Sequence, residues 1–312
     1  MLIMEGCIGI YDLKNSEYCR SMMEREVSLV IEYLLKQKEC KIAVADSHNN
    51  GNTLCRLRDK YPDIEILSFF WNVKDIETYD YAVLTGFHAR RGIDGILSHT
   101  LRPEIKELRI GNVICGEVSF ILNWLAYYSV KTILISGNRE LNSEVKGKCA
   151  YFFESKSLDD LQNQKKVDID GKFASLCEIL ESAWENRRLI GLEEYNRNEI
   201  TIIFSQINIL PLLPSSLYRI EKDKILFLDT KMFVEELYVL CQYINAAQAW
   251  LIGCLNKIKN IIRKVYPTKE DFVTEERELV RLLKVPYQKY MIDEIKLLNK
   301  RAEEIEREYI QD

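Results

Sequence analysis

Histidine is the scarcest chemically versatile side chain in this sequence: 312 residues hold three, His48, His88 and His99, and all fall within one window of about fifty positions. Net positive charge is missing as well. Lys plus Arg number 43 against 48 Asp plus Glu, a formal charge of −5, so no basic field exists to hold nucleic acid or an anionic membrane. No run of about 18 apolar residues suits a membrane span. The N-terminus lacks the basic patch, apolar stretch and small-residue cleavage site of a secretory signal, and a cytoplasmic location is expected. The nine cysteines are odd in number, scattered and never spaced as CxxC; they read as reduced, mostly buried thiols. What is present is material for a large core, 47% hydrophobic with 29% charged, which excludes a disordered chain, a disulfide mini-protein and a collagen-like repeat.

Apolar runs that read as strands alternate with helical periodicity along the first half. MLIME (1–5) is a short strand broken by Gly6, and 16–37 repeats apolar residues at helical spacing. KIAVAD (41–46) is a second strand, followed by a turn at Asn49-Asn50-Gly51 and a helix through Leu54, Leu57 and Lys60. Further strands are expected at 64–70, 81–85 and 132–136, a hairpin about Gly111-Asn112 within 107–115, and a helix over 117–128. Nine of the thirteen glycines precede residue 138, which suits tight turns around a site in this half.

This alternation points to an α/β fold with a largely parallel sheet covered by helices, whose ligands gather at the carboxyl ends of the strands. Helices near 139–146 and 172–187 are joined by a charged, mobile-looking stretch, 157–166. A smaller second α/β portion has strands at 200–204, 217–221 and 224–228 and a helix from 230 to 243. Beyond 250, Met291, Ile295, Leu298, Ala302, Ile305 and Tyr309 make one apolar stripe in a helical C-terminal extension divided by Pro267 and Pro286. The expected division is 1–150, 151–250 and 251–312. A stripe at that spacing pairs with another chain or folds back on its own domain.

Four short polar motifs end or follow the strands of the first half, Met4-Glu5-Gly6, Asp46-Ser47-His48, Gly86-Phe87-His88-Ala89-Arg90 and Gly116-Glu117, and a fifth, Ser98-His99-Thr100, sits in the Gly-rich loop after His88. One histidine after a strand is ordinarily a hydrogen-bonded structural residue. All the histidines of a long chain at strand ends in one half, beside two carboxylates, suit a borderline divalent cation, with Zn²⁺ the commonest match.

The order MEG, DSH, GFHAR, SHT and GE, followed by an apolar strand ending in Gly137, resembles the zinc-dependent D-aminopeptidase family typified by a bacterial dipeptide-transport-operon enzyme. The likeness spans roughly residues 1–250, and the run from Leu212 through Arg219 to a helix over 233–248 is similar to that family's closing strand and helix. Carried over by position, the resemblance implies Glu5, His48, His88 and Glu117 as metal ligands and His99 as the catalytic histidine, transferring a proton or attacking directly. The family's Asp that bridges two zinc ions falls on Ile3, which ligates nothing. On a strand Ile3 would face the same way as Glu5 and fill the bridging position, so one Zn²⁺ rather than two is expected. Asp46 reads as a supporting or helix-capping carboxylate ahead of a direct ligand. Arg90 either clamps a substrate carboxylate or holds a loop carbonyl. Asn138-Arg139 stands where many relatives carry an acidic pair after the glycine.

The resemblance implies a metal-dependent hydrolase of small peptide or amide bonds, aminopeptidase-like, in a homo-oligomer. The alternatives are a non-catalytic or single-metal descendant serving as a binding or scaffold subunit, and an amidase retuned for a biosynthetic intermediate.

Overall fold

A computed structural model of the protein describes residues 3–37, 40–48, 53–102, 105–148, 150–163, 166–204, 219–221, 224–227 and 300. The expected helices at 230–243 and 251–312, and the pattern over 212–248, lie outside the described residues apart from Arg219–Glu221, Lys224–Phe227 and Lys300.

Two compact units divide the chain: Met1–Pro103 with Glu107–Asn198, and Glu104–Lys106 with Glu199–Asp312. In the first, the strands β1 (Ala43–Asp46) and β2 (Glu65–Ser68) pair in parallel, with Ala43 opposite Glu65 and Asp46 opposite Ser68. A second parallel sheet has the order β3–β6–β7, formed by Tyr81–Phe87, Lys131–Asn138 and Tyr151–Lys156. Between them in sequence, β4 (Ile105–Ile110) and β5 (Val113–Cys115) make the expected hairpin, turning at Gly111 with φ of +58°. In the second unit β10 (Lys224–Phe227) runs antiparallel to both β8 (Ile200–Phe204) and β9 (Arg219–Glu221).

The first unit continues past residue 150 to Asn198, and the reason is β7, a strand the sequence reading did not find. It pairs with β6, and Phe153 carries it into the core. Helix α1 (Ser16–Leu35) turns Met22, Met23, Val27, Val30 and Ile31 inward. Helix α6 (Ile169–Glu185) adds Phe173, Leu176, Leu180 and Ala183 to the same cluster, which includes Ile133 and Leu134 of β6. Each of these side chains larger than alanine contributes on the order of 1.5–3 kcal/mol when fully buried. Helix α3 (Glu117–Tyr127) packs against β3, β5 and β6, and every residue from Thr132 to Asn138 in β6 is buried, as a strand covered on both faces requires.

Two expectations change. Residues 3–9 form turns and bends instead of a strand. The segment still reaches β3 through two backbone bonds, Ile3 N–H to Thr85 O at 3.0 Å and Gly6 N–H to Gly86 O at 2.7 Å. Glycine on both sides permits that approach: a Cβ on Gly6 would lie 1.7 Å from Phe87 O, and one on Gly86, at φ +74°, would lie 1.7 Å from Ile3 O. Chain reversal at Gly6 removes the strand parity from which Ile3 was aligned with Glu5; Ile3 is buried at 5% exposure. The charged stretch after β7 holds a short helix, α5 (Leu158–Gln162), closed by a capping box in which Ser157 and Asp160 satisfy each other's backbone N–H. This unit also holds the helices α2 (Cys55–Lys60) and α4 (Asn142–Val145).

Candidate metal centre

Each of the five motif residues leaves a strand end, a turn or a helix start. His48 follows β1 and His88 follows β3, while Glu117 is the first residue of α3, after Gly116 in extended backbone. His99 sits in the loop between β3 and β4. Glu5 comes from the N-terminal turn.

The side chains gather as a pair and a trio. Glu5 Oε2 and His48 Nδ1 lie 3.1 Å apart, both largely buried. His88, His99 and Glu117 each offer a ligand atom within 4.8 Å of the others'. The two imidazoles stack with centroids 4.1 Å apart, and their Nε2 atoms lie 3.7 and 3.9 Å from Glu117 Oε1. Pair and trio sense each other electrically, since Glu5 feels the charge of His88 and His99, and His48 that of Glu117.

Hydrogen bonds select the tautomers. His88 Nδ1 faces Ala89 O at 3.0 Å and His99 Nδ1 faces Leu97 O at 2.8 Å. A carbonyl only accepts, so Nδ1 carries the proton in each neutral ring and Nε2 keeps its lone pair. His88 is 2% exposed and its Nε2 has no hydrogen-bond partner. An unmet buried polar atom costs about 1–3 kcal/mol, a penalty that a cation at Nε2 would relieve. Burial lowers the His88 pKa despite the attraction of Glu117 and so favours the neutral ring that ligation requires. Donor types and the orphaned nitrogen thus fit Zn²⁺.

The pair is balanced differently. Burial alone would raise the Glu5 carboxyl, but the His48 hydrogen bond and the charges of His48, His88 and His99 hold it down at about 2. His48 moves the opposite way: burial works to lower it, and Glu5, Asp46 and Glu117 together lift it above its ordinary value.

Asp46 behaves as a supporting carboxylate. Fully buried, it accepts His48 N–H at 3.1 Å on Oδ1, and Thr53 N–H at 2.8 Å and Leu54 N–H at 3.1 Å on Oδ2. Its pKa is raised because burial outweighs those three bonds. The Arg90 guanidinium donates to Arg91 O at 3.1 Å, the loop-holding alternative. Asn138 is a brace, accepting Ala89 N–H at 3.1 Å and donating to Ile96 O at 3.2 Å. Arg139 pairs with Glu154 at 3.0 Å and Asp159 at 2.7 Å, half exposed, a geometry contributing about 0–1 kcal/mol.

Several residues that position the site carried no motif. Glu144 of α4 accepts Arg90 N–H at 2.9 Å and Gly116 N–H at 2.6 Å, tying the His88 loop to the start of α3; burial raises its pKa. Glu117 in turn accepts Leu101 N–H at 2.7 Å. Leu97 and Leu101, two residues either side of His99, hold φ of +55° and +56°, a left-handed conformation that costs a non-glycine residue about 1–3 kcal/mol and is held here by the bonds just named. Under the Glu5 turn, Lys156 is fully buried, its pKa lowered by burial to about 8. Nearby Glu26, also fully buried, accepts Ile8 N–H at 3.0 Å and the Ser136 hydroxyl at 2.8 Å.

Residues 4–153 match the family model described as D-aminopeptidase. A curated D-aminopeptidase of Bacillus subtilis (strain 168) is 25% identical over 147 residues, 43% of this chain and 53% of that protein, so the match spans about half the relative's length. Among solved structures, the zinc-dependent D-aminopeptidase DppA from Bacillus subtilis, described as a self-compartmentalizing protease, is similar with a TM-score of 0.65 and 19% identity, covering 78% of this chain and 96% of that one. That likeness shows a shared α/β fold. Over residues 4–153, which carry all five gathered side chains, the chain is similar to the D-aminopeptidase family.

Proposed function

We propose that the protein is a zinc-dependent hydrolase of small peptide or amide bonds, with N-terminal D-residue peptides as the substrate class. The carrying observation is the buried, partnerless Nε2 of His88 beside the Glu117 carboxylate and a second imidazole. The family match and the zinc-dependent relative support the same reading.

Glu5, His48, His88 and Glu117 would hold a single Zn²⁺, with Asp46 supporting His48 from behind. When bound, zinc supplies Lewis acidity, polarising a carbonyl and lowering the pKa of water toward about 7. Proton movement falls to His99. Its side chain is 31% exposed, its Nδ1–H is fixed on Leu97 O and its Nε2 lone pair is available, so Nε2 takes a proton from the attacking water and returns it to the leaving amine. The bracing by Leu97 and Leu101 keeps that ring from turning away. Substrate would enter from the face on which His99 is exposed.

The likeness to DppA, a self-compartmentalizing protease, supports assembly of this chain as a homo-oligomer. No described helix is long and apolar enough to cross a membrane.

Metal analysis of freshly purified protein, paired with hydrolysis assays on D-alanyl peptides and amides, tests the reading. About one zinc per chain and chelator-sensitive turnover are expected. Protein that neither contains nor takes up zinc, and cleaves none of these substrates, overturns it. Zinc without turnover would favour the binding or scaffold alternative, to which Ile3 and the closed Glu5–His48 pair lend weight.

A further inference from the structure

The turn that delivers Glu5 lacks the ladder of a strand, yet the carbonyls of Glu5, Gly6 and Ile10 are met from one place. From the end of β7, Lys156 Nζ donates to Glu5 O at 2.5 Å and also to Ile10 O, while the adjacent Ser155 hydroxyl donates to Gly6 O at 2.5 Å. Glu26 of α1 takes Ile8 N–H. These three side chains are fully or almost fully buried. A lysine with no solvent access is a poor choice for filling space, because a methionine of similar length would bury no charge. Its three donors suit one task here, gathering carbonyls that point inward from a segment with no sheet neighbour on that side.

We propose that Lys156 is a positioning residue for the metal centre: its ammonium ties the Glu5 carbonyl to that of Ile10 and so fixes the turn from which the Glu5 carboxylate meets His48. Ser155 reinforces the same tie one residue away. The inference rests on the reading of Glu5 as a zinc ligand. It assigns to a strand end distant in sequence the work of a strand that residues 3–9 do not form, and it locates the control of Glu5 in its backbone. Removing the ammonium leaves the carboxylate in place chemically but frees the turn beneath it, and metal affinity falls because Glu5 must be ordered anew each time zinc binds.

Zinc affinity of the metal-free protein, measured by competition with a chromophoric chelator, is compared with its melting temperature in the unsubstituted protein, Lys156→Met, Lys156→Arg, Ser155→Ala and Leu180→Ala. Lys156→Met is expected to weaken zinc binding about 10- to 100-fold, the range for lost outer partners of metal ligands. Lys156→Arg, which still donates, should recover part of the loss, and Ser155→Ala should cost several-fold. Leu180→Ala, a core truncation in α6, should lower the melting temperature and leave affinity unchanged. If Lys156→Met does not fold, Ser155→Ala carries the test. Unchanged zinc affinity in the folded Lys156 or Ser155 variants, or an equal loss in Leu180→Ala, overturns the positioning role while the metal reading stands. Absence of zinc binding in the unsubstituted protein overturns both.

Discussion

The two halves of the centre have settled in opposite ways. Glu5 and His48 satisfy each other at 3.1 Å, and each shifts its partner toward the charged form. His88, His99 and Glu117 stand close without closing: the histidines spend Nδ1 on backbone carbonyls and keep Nε2 uncommitted. The half nearest the N-terminal turn, where the resemblance places a bridging carboxylate at the position of Ile3, pairs within itself, and the half built on β3 and α3 keeps the open lone pairs a cation needs.

Removing the proton carrier should have the largest effect. His99→Ala is expected to lower turnover by about 10²- to 10⁴-fold, the usual contribution of general acid–base catalysis, with zinc content unchanged by metal analysis. Loss of zinc instead would make His99 a third ligand of the trio and redraw the division between halves. His88→Ala comes next: chelator competition should show zinc affinity falling beyond the roughly 100-fold typical of a lost outer partner. Affinity that survives His88→Ala but not Glu5→Gln would reverse the comparison. Ile3→Asp sharpens it from the other side, since a restored carboxylate should open the Glu5–His48 pair and raise zinc uptake toward a second equivalent per chain. Uptake unchanged at one would show that the turn geometry, rather than the missing group, closes that half.

The smallest effect is on stability. Burial raises the Glu26 carboxyl above 4.5 in the fold, with the Ile8 and Ser136 bonds opposing. From 4.5 up to that raised value the native state holds a proton the unfolded chain has released, so stability falls as pH climbs through the window. Glu26→Gln removes this slope, which is at most about 1.4 kcal/mol per pH unit. Urea denaturation of the metal-free protein at a series of pH values reads it directly, and an unaltered slope would mean that Glu26 is ionised throughout.

Much of this was legible where the signal was local. DSH and GFHAR mark strand ends because an apolar run stops at a polar, chemically active residue, and the His88 that ends β3 does meet His99 of the SHT loop. β6 was legible for the same reason, as TILIS is apolar on both faces. The N-terminal turn was not, because MLIME has the composition of a strand and its reversal depends on a glycine at position 86 that lets the chain press on β3. Lys156, Glu26 and Glu144 were invisible for a related reason: each serves a partner far along the chain, 151 residues away for the Lys156–Glu5 bond and 54 for Glu144–Arg90, and no spacing rule connects such positions. β7 was missed because its alternation is blurred, with Ser155 and Lys156 both buried in succession.

That every imidazole of the chain belongs to the candidate centre makes the molecule its own spectroscopic reporter. Protein labelled with nitrogen-15 in histidine alone gives ring signals from three side chains only, each with a known neighbour: a carboxylate for His48, a backbone oxygen for His88 and another for His99. Titrating such a sample with zinc would show, nitrogen by nitrogen, which lone pairs are taken up and which ring stays free to exchange its proton with solvent.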